Sequence, residues 1–245
     1  MGLYEVRAGA ESYGHEIGIL LVDCSTPFIP GDVGNASTYS YPVLYHTVQG
    51  CSLERLINLG DETLADTVIE AAKFLEQRGV KGITSDCGFM IRFQEAVAKA
   101  VNIPVFLSAM TQLPMVGATL GWSRPVGIIT ANAKRMTPEL LTIAAAGSGV
   151  KFVVAGLEDK PAFRAPILDE VGPLNSQKIE SEIMETAIEL QMKNPEIGAI
   201  LLECSNMPPY AHAVQQATGL PVFDFTTMIN YMVAGNHRKK FDGIF

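Results

Sequence analysis

Short apolar runs that suit buried strands alternate along the chain with patterns that suit helices. The predicted strands are Ile17–Val22, Gly82–Ser85, Val105–Leu107, Val126–Thr130, Phe152–Ala155, Ala199–Leu202 and Val222–Phe223. The predicted helices run from Asp61 to about Arg78, over Phe89–Val101, from Thr137 onward, along the apolar stripe Ile179, Ile183, Ala187 and Leu190, and over Ala211–Ala217. This alternation predicts an α/β fold in which mainly parallel sheets are flanked by helices.

Two long stretches, Asp23–Val43 and Leu157–Pro173, interrupt the alternation with prolines and polar residues. Stretches of this length in a compact α/β chain are usually functional or disordered. The first leaves a strand end, and we predict that Pro27–Asn35 covers a site there as a partial lid. Asp32 is the one charge in that segment, and it either bonds its own backbone in a turn or meets a cationic substrate group.

An internal repeat divides the chain into two halves. Gly82–Phe106 aligns without a gap on Ala199–Phe223 at a constant offset of 117, and nine of the 25 positions are identical. The repeat predicts two α/β lobes of common origin. We assign residues 1–108 and 226–245 to the first lobe and residues 109–225 to the second.

The repeat pairs Cys87 with Cys204, each at the junction of a predicted strand and helix. In open α/β sheets the carboxyl ends of the strands form the ligand crevice, so both thiols are expected to face a cleft between the lobes. A thiol on each side of a substrate carbon suits acid–base chemistry at that carbon. Structural cysteines inherited with the duplication are the alternative.

Residues around each cysteine bear on this chemistry. The backbone N–H groups of Gly88, Phe89, Ser205 and Asn206 lie at predicted helix N-termini, where they favour a thiolate and can hold a substrate carboxylate. Acids precede both cysteines, Asp86 in the first half and Glu203 in the second. A neighbouring anion raises a thiol pKa, unless strand alternation turns these acids away from the cleft, where they would bond in the core.

Composition excludes several classes of function. Hydrophobic residues make up 48% and charged residues 18%, which is incompatible with a disordered chain. The net charge of −8 argues against nucleic acid and membrane surfaces as partners. Four cysteines are too few for a disulfide scaffold, and the start of the chain lacks an export pattern, so we expect a cytoplasmic protein. The scattered histidines and the missing phosphate loop predict no metal and no cofactor.

The duplicated halves, the cysteine after a strand in each and the missing cofactor motifs resemble the aspartate/glutamate/hydantoin racemase superfamily. That group also contains maleate isomerases, arylmalonate decarboxylases and dimethylsulfoniopropionate lyases. The resemblance implies two pseudo-symmetric Rossmann-like lobes, a site in the interlobe cleft, no cofactor, and Cys87 and Cys204 as the acid–base pair. It further places Thr130 and Asn132 at the substrate carboxylate, and Asp23 and Ser25 along the cleft.

The sequence therefore predicts a cofactor-independent racemase or epimerase of a small amino acid or related carboxylate. The alternatives are a lyase of the dimethylsulfoniopropionate type, a maleate-type isomerase and, less favoured, a non-enzymatic binder of small molecules. We also expect a homo-oligomer whose only other partner is the small carboxylate substrate.

Overall fold

The computed structural model describes residues 3, 5–6, 8–9, 11–238, 240–241 and 243. The strands are β1 (Ile17–Leu21), β2 (Val43–Thr47), β3 (Ile83–Ser85), β4 (Val105–Phe106), β5 (Val126–Thr130), β6 (Phe152–Gly156), β7 (Ala199–Leu202) and β8 (Val222–Phe223). The α-helices are α1 (Ala65–Gln77), α2 (Gln94–Ala100), α3 (Leu113–Thr119), α4 (Pro138–Ala145), α5 (Pro161–Ile167), α6 (Ser176–Lys193), α7 (Ala211–Thr218) and α8 (Phe225–Asn236). The predicted α/β class is confirmed.

The eight strands form two parallel sheets with the same topology. The first has the order β2-β1-β3-β4 and the second has the order β6-β5-β7-β8. The pairing register is also the same, because Gly18 pairs with Ile83 in the first sheet and Gly127 pairs with Ile200 in the second. The duplication predicted from the repeat therefore extends to both complete sheets.

A close approach of helix and strand recurs in both halves. A Cβ atom on Gly18 would lie 2.9 Å from Leu75 Cδ1 of α1, and one on Gly127 would lie 3.1 Å from Leu190 Cδ2 of α6. Glycine at these equivalent positions lets each long helix pack directly on the central strand of its sheet.

Local sequence sets several helix ends as predicted. Asp61 accepts a hydrogen bond from the Thr63 N–H (3.0 Å) in the turn that leads into α1, and Gly79 follows that helix with φ +83°. Thr137 caps α4 and precedes Pro138 at its first position. The predicted helix Phe89–Val101 is wrong in part, because Gly88–Phe93 forms a 3-10 turn and only Gln94–Ala100 is α-helical.

The last helix, α8, packs on the first half of the chain. Met232 lies against Gly82, and the Asn236 side-chain amide donates to the Lys81 carbonyl (3.0 Å). The division into residues 1–108 with 226–245 and residues 109–225 stays a prediction, and its residues 1, 2, 4, 7, 10, 239, 242, 244 and 245 lie outside the described ones. Every helix in the described ranges is too short or too polar to span a bilayer.

Candidate active site

A small cavity lies where the carboxyl ends of β3 and β7 approach each other. Cys87 and Cys204 both line it, each two residues beyond the end of its strand. Its volume is about 30 Å³, which is room for water-sized groups only. The remaining lining residues are Val22, Cys24, Thr26, Phe28, Leu53, Ile57, Asp86, Gly88, Phe89, Ala131, Ile167, Leu168, Glu203, Ser205 and Asn206. This placement agrees with the prediction that the two thiols face one cleft. Neither cysteine forms a disulfide.

The environment of the thiols differs from the one expected at a helix N-terminus. Each sulfur does face a backbone N–H two residues further on, from Phe89 at Cys87 and from Asn206 at Cys204, which lowers the thiol pKa. Burial outweighs this effect and, together with the charge of Glu203, raises the pKa of both thiols well above the ordinary value. Burial therefore reverses the direction expected from the helix N-termini and favours the protonated form of both thiols.

Glu203 and Asp86 line the cavity and do not turn away from it. Glu203 is fully buried, and its Oε2 accepts hydrogen bonds from Thr130 Oγ1 (2.8 Å) and from the Ala131 N–H (3.4 Å). Its Oε1 has no partner among the described residues. Asp86 Oδ1 accepts from the Val22 N–H (2.8 Å). Burial raises the pKa of Glu203 to about 7 and that of Asp86 to about 8.

The polar side chains that follow Cys204 are occupied within the protein. The Ser205 hydroxyl donates to the Asp86 carbonyl and thereby joins the two cysteine turns. The Asn206 amide donates through Nδ2 to Asp32 Oδ2 (2.6 Å), and its Oδ1 accepts from Cys204 Sγ (3.4 Å). Ser205 and Asn206 thus lie at the cavity as predicted, but their side chains are already bonded to protein groups.

Four of the predicted substrate-binding residues lie outside the cavity lining. Asp23 is exposed and accepts from the Gly50 N–H (3.4 Å), and Ser25 is exposed with its N–H bonded to Glu170 Oε1 (2.5 Å). Thr130 is buried behind Glu203. Asn132 lines a neighbouring pocket, and its buried Oδ1 has no partner among the described residues.

This neighbouring pocket has a volume of about 360 Å³ and shares Leu53, Ile57 and Leu168 with the cysteine cavity. Lys134 and Arg135 also line it. Leu168 belongs to Leu157–Pro173, the second irregular stretch, for which the sequence predicted no contact with the site. Most of the apolar lining was missed, because single apolar residues in loops carry no periodic pattern.

The first irregular stretch reaches the second half of the chain. Phe28 lines the cavity, and the Val33 N–H donates to the Ser205 carbonyl (3.4 Å). Asp32 is 1% exposed and bonds both the Gly34 N–H (3.1 Å) and Asn206, so it forms the predicted turn and also a contact with the other half. The function of Pro27–Asn35 as a lid stays a prediction.

Comparison with known proteins gives one family and several relatives. The family model described as Asp/Glu/Hydantoin racemase matches residues 35–230. A dimethylsulfoniopropionate lyase from Durusdinium sp. clade D is 33% identical over 227 residues, which cover 89% of this chain and 74% of that protein. Dimethylsulfoniopropionate lyase 3 from Emiliania huxleyi strain CCMP1516 is 34% identical over 231 residues, and the chain spans only 59% of its length.

Solved structures agree on the fold. An arylmalonate decarboxylase, in its Gly74Cys form with sulfate, superposes with a TM-score of 0.60 at 13% identity and covers 91% of this chain and 96% of its own. At this identity the likeness concerns the architecture alone.

Proposed function

The chain belongs to the Asp/Glu/hydantoin racemase family, and within it we propose that the protein is a lyase that eliminates dimethyl sulfide from dimethylsulfoniopropionate. The observation that carries this proposal is the acidic lining of the cysteine cavity. Asp86 and Glu203 line it, whereas its described lining residues include no Lys, Arg or His. Burial leaves both acids partly protonated near neutral pH, and a cation that binds beside them lowers their pKa values and favours the ionised form that attracts it. The two lyase relatives support the same choice of substrate.

Aromatic rings add to the attraction for a sulfonium. Phe28 and Phe89 line the cavity beside the two acids, and the face of an aromatic ring attracts a cation. A sulfonium has no N–H or O–H to donate, so it interacts by charge and contact alone and needs no hydrogen-bond acceptor of its own. Glu203, whose Oε1 has no partner among the described residues, supplies negative charge once the bound sulfonium lowers its raised pKa.

The elimination needs one base. The base takes a proton from the carbon next to the carboxylate, the C–H electron pair forms the new double bond, and the C–S bond breaks with its electrons on sulfur. The products are acrylate, neutral dimethyl sulfide and the protonated base. Cys87 is the proposed base. The cavity of about 30 Å³ must widen to admit this substrate, and the neighbouring pocket of about 360 Å³ shares Leu53, Ile57 and Leu168 with it. A sulfonium bound in the widened cavity lowers the pKa of a nearby thiol, so the thiolate forms when the substrate is present.

The test measures dimethyl sulfide by gas chromatography and acrylate by NMR after the purified protein is mixed with dimethylsulfoniopropionate. We expect both products from the wild-type chain, and Cys87→Ala should lower the rate by about 10²–10⁴-fold, the usual contribution of a general base. Cys51→Ala is the matched control, because Cys51 is fully buried outside the cavity and its loss should leave the rate near the wild-type value. Absence of both products from the folded wild-type protein would refute the proposal.

A racemase of a small carboxylate is the second candidate. It is favoured by the equivalent positions of Cys87 and Cys204 in the two halves and by their shared cavity. Incubating a panel of amino acids and other small carboxylates with the protein in D₂O separates the candidates. Deuterium at the α-carbon with no elimination product would favour the racemase over the lyase.

A further inference from the structure

Asp32 reaches Cys204 through one intervening side chain. Its Oδ2 accepts from Asn206 Nδ2 (2.6 Å), and Asn206 Oδ1 accepts from Cys204 Sγ (3.4 Å). All three side chains are buried, with exposed fractions of 1%, 9% and 8% for Asp32, Asn206 and Cys204. The first irregular stretch thus touches the second thiol through a continuous chain of hydrogen bonds.

The carboxylate of Asp32 is held in place independently of Asn206. The Gly34 N–H donates to its Oδ1 (3.1 Å), its own N–H donates to the Ile29 carbonyl (3.0 Å), and its carbonyl accepts from Thr38 Oγ1 (2.7 Å). The two backbone bonds hold Asp32 in the loop and the Gly34 bond holds its carboxyl group, so Oδ2 faces Asn206. Burial raises the pKa of Asp32 to about 7, so the carboxylate is an ionised acceptor above that pH.

A fixed acceptor determines which end of the Asn206 amide faces the sulfur. The amide has one donor end and one acceptor end, and the donor end is bound by Asp32. The acceptor end therefore faces Cys204, where it can accept from a thiol but repels a thiolate. Turning the amide over would place two oxygens against each other at Asp32.

Cys87 has no such arrangement. At the offset of 117 the position of Asn206 is taken by Phe89 in the first half, and a phenyl ring offers no acceptor. The two thiols, although equivalent in the fold, therefore differ in their polar contacts.

We propose that Asp32 is a positioning residue that acts through the Asn206 amide to keep Cys204 in its thiol form, so that the two cysteines have different roles. The meaning of this difference for catalysis rests on the proposed function, but the difference itself can be measured without substrate.

Other charged groups face both ends of this relay. Glu203 and Asp86 act on Cys204 and raise its pKa together with Asp32, and Cys204 in turn acts on Cys87. Around Asp32 the titratable groups are Asp86, Tyr39, Tyr45 and Tyr210. A test must therefore separate the relay from the general charge of the site.

The experiment follows alkylation of each cysteine by iodoacetamide as a function of pH, with the Cys87 and Cys204 peptides quantified separately by mass spectrometry. The main variant is Asp32→Ser, because serine can keep the turn bond to the Gly34 N–H but is too short to reach Asn206. Asp32→Asn is a second variant of the native size. Ser37→Ala is the control, because Ser37 is exposed in the same loop and its hydroxyl bonds Asn35 (2.7 Å), not Asp32.

In both Asp32 variants we expect the alkylation midpoint of Cys204 to fall by about one pH unit, while the midpoint of Cys87 stays at the wild-type value. In Ser37→Ala both midpoints should stay at the wild-type values. A general opening of the loop would instead speed alkylation of both cysteines at every pH. Midpoints that do not move, or that move equally for both cysteines, would overturn the proposal.

A double variant separates the relay from the direct charge of Asp32. In an Asn206→Ala background the relay is already broken, so Asp32→Ser should add only the smaller shift at Cys204 that comes from the direct charge of Asp32. A shift of the same size in both backgrounds would show that Asp32 acts by charge alone and would also overturn the proposal. A lyase assay that fails would leave these midpoints unaffected, so the two proposals fail separately.

Discussion

Gly88 lies against Glu203 of the other half of the chain, and Gly88→Ala tests that contact. A Cβ atom there would lie 1.9 Å from Glu203 Oε1, 2.5 Å from Glu203 Cδ and 2.6 Å from the Glu203 carbonyl oxygen. The side-chain oxygen could move only by breaking the bonds at Oε2. The carbonyl oxygen belongs to the backbone beyond β7, so relief requires the two cysteine turns to separate.

Overpacking a buried contact of this kind destabilises a protein by about 1–3 kcal/mol. For a chain of this size each kcal/mol lowers Tm by about 2–4 °C, so a middle value of about 2 kcal/mol predicts a loss of about 4–8 °C. Separating the turns also moves Cys87 away from the opposite wall of the cavity, so the rate of the proposed elimination should fall at the same time.

The assay is thermal unfolding followed by circular dichroism, with Gly235→Ala as the matched control. Gly235 lies in α8, is exposed, and a Cβ there meets nothing within 4 Å. Replacing a helical glycine by alanine stabilises by about 0.5–1 kcal/mol, so the control should keep or raise Tm. Wild-type Tm and wild-type turnover in Gly88→Ala would refute the contact and the placement of Glu203.

Three further outcomes follow from the site. Burial raises the pKa of Glu203 from 4.5 to about 7. The folded chain therefore binds this proton more tightly than the unfolded chain, and the free energy of unfolding falls as pH rises between these values. Glu203→Gln should have a higher Tm than the wild type at pH 8 and lose that advantage at pH 4. Phe28→Ala removes a cavity wall and should raise KM for dimethylsulfoniopropionate in steady-state kinetics while admitting bulkier sulfonium substrates; an unchanged KM and substrate range would contradict this role. Glu170→Ala removes the bond to the Ser25 N–H and should speed alkylation of both cavity cysteines without moving either pH midpoint; a wild-type alkylation rate would show that the bond does not limit access.

The repeated unit was predictable because its sequence pattern is local. The match of Gly82–Phe106 with Ala199–Phe223 places a strand, a cysteine turn, a helix and a second strand in each half, and the structure shows all of them. The pairing of Cys87 with Cys204 in one cavity follows from this duplication and the parallel strand order.

Other features depend on contacts that no local pattern encodes. The edge strand β2 was missed, since Val43–Thr47 is half-buried throughout and mixes apolar with polar residues. The partner of Asp32 lies 174 residues away, and a turn-forming aspartate looks the same in sequence with or without such a partner. The direction of the thiol pKa shifts was wrong because it depends on burial, which outweighs the N–H groups that the sequence made visible.

The difference between Phe89 and Asn206 bears on the choice between the two candidate reactions. Inversion of a stereocentre by two bases needs each thiol to act as the base for one enantiomer, so both must reach the thiolate state with comparable ease. An amide oxygen fixed at Cys204 opposes that state on one side only. Elimination of a sulfonium group removes one proton and releases a neutral leaving group, so a single base on the Cys87 side is enough. A duplicated site in which only Cys204 faces an amide oxygen is therefore better suited to the one-base elimination than to inversion by two bases.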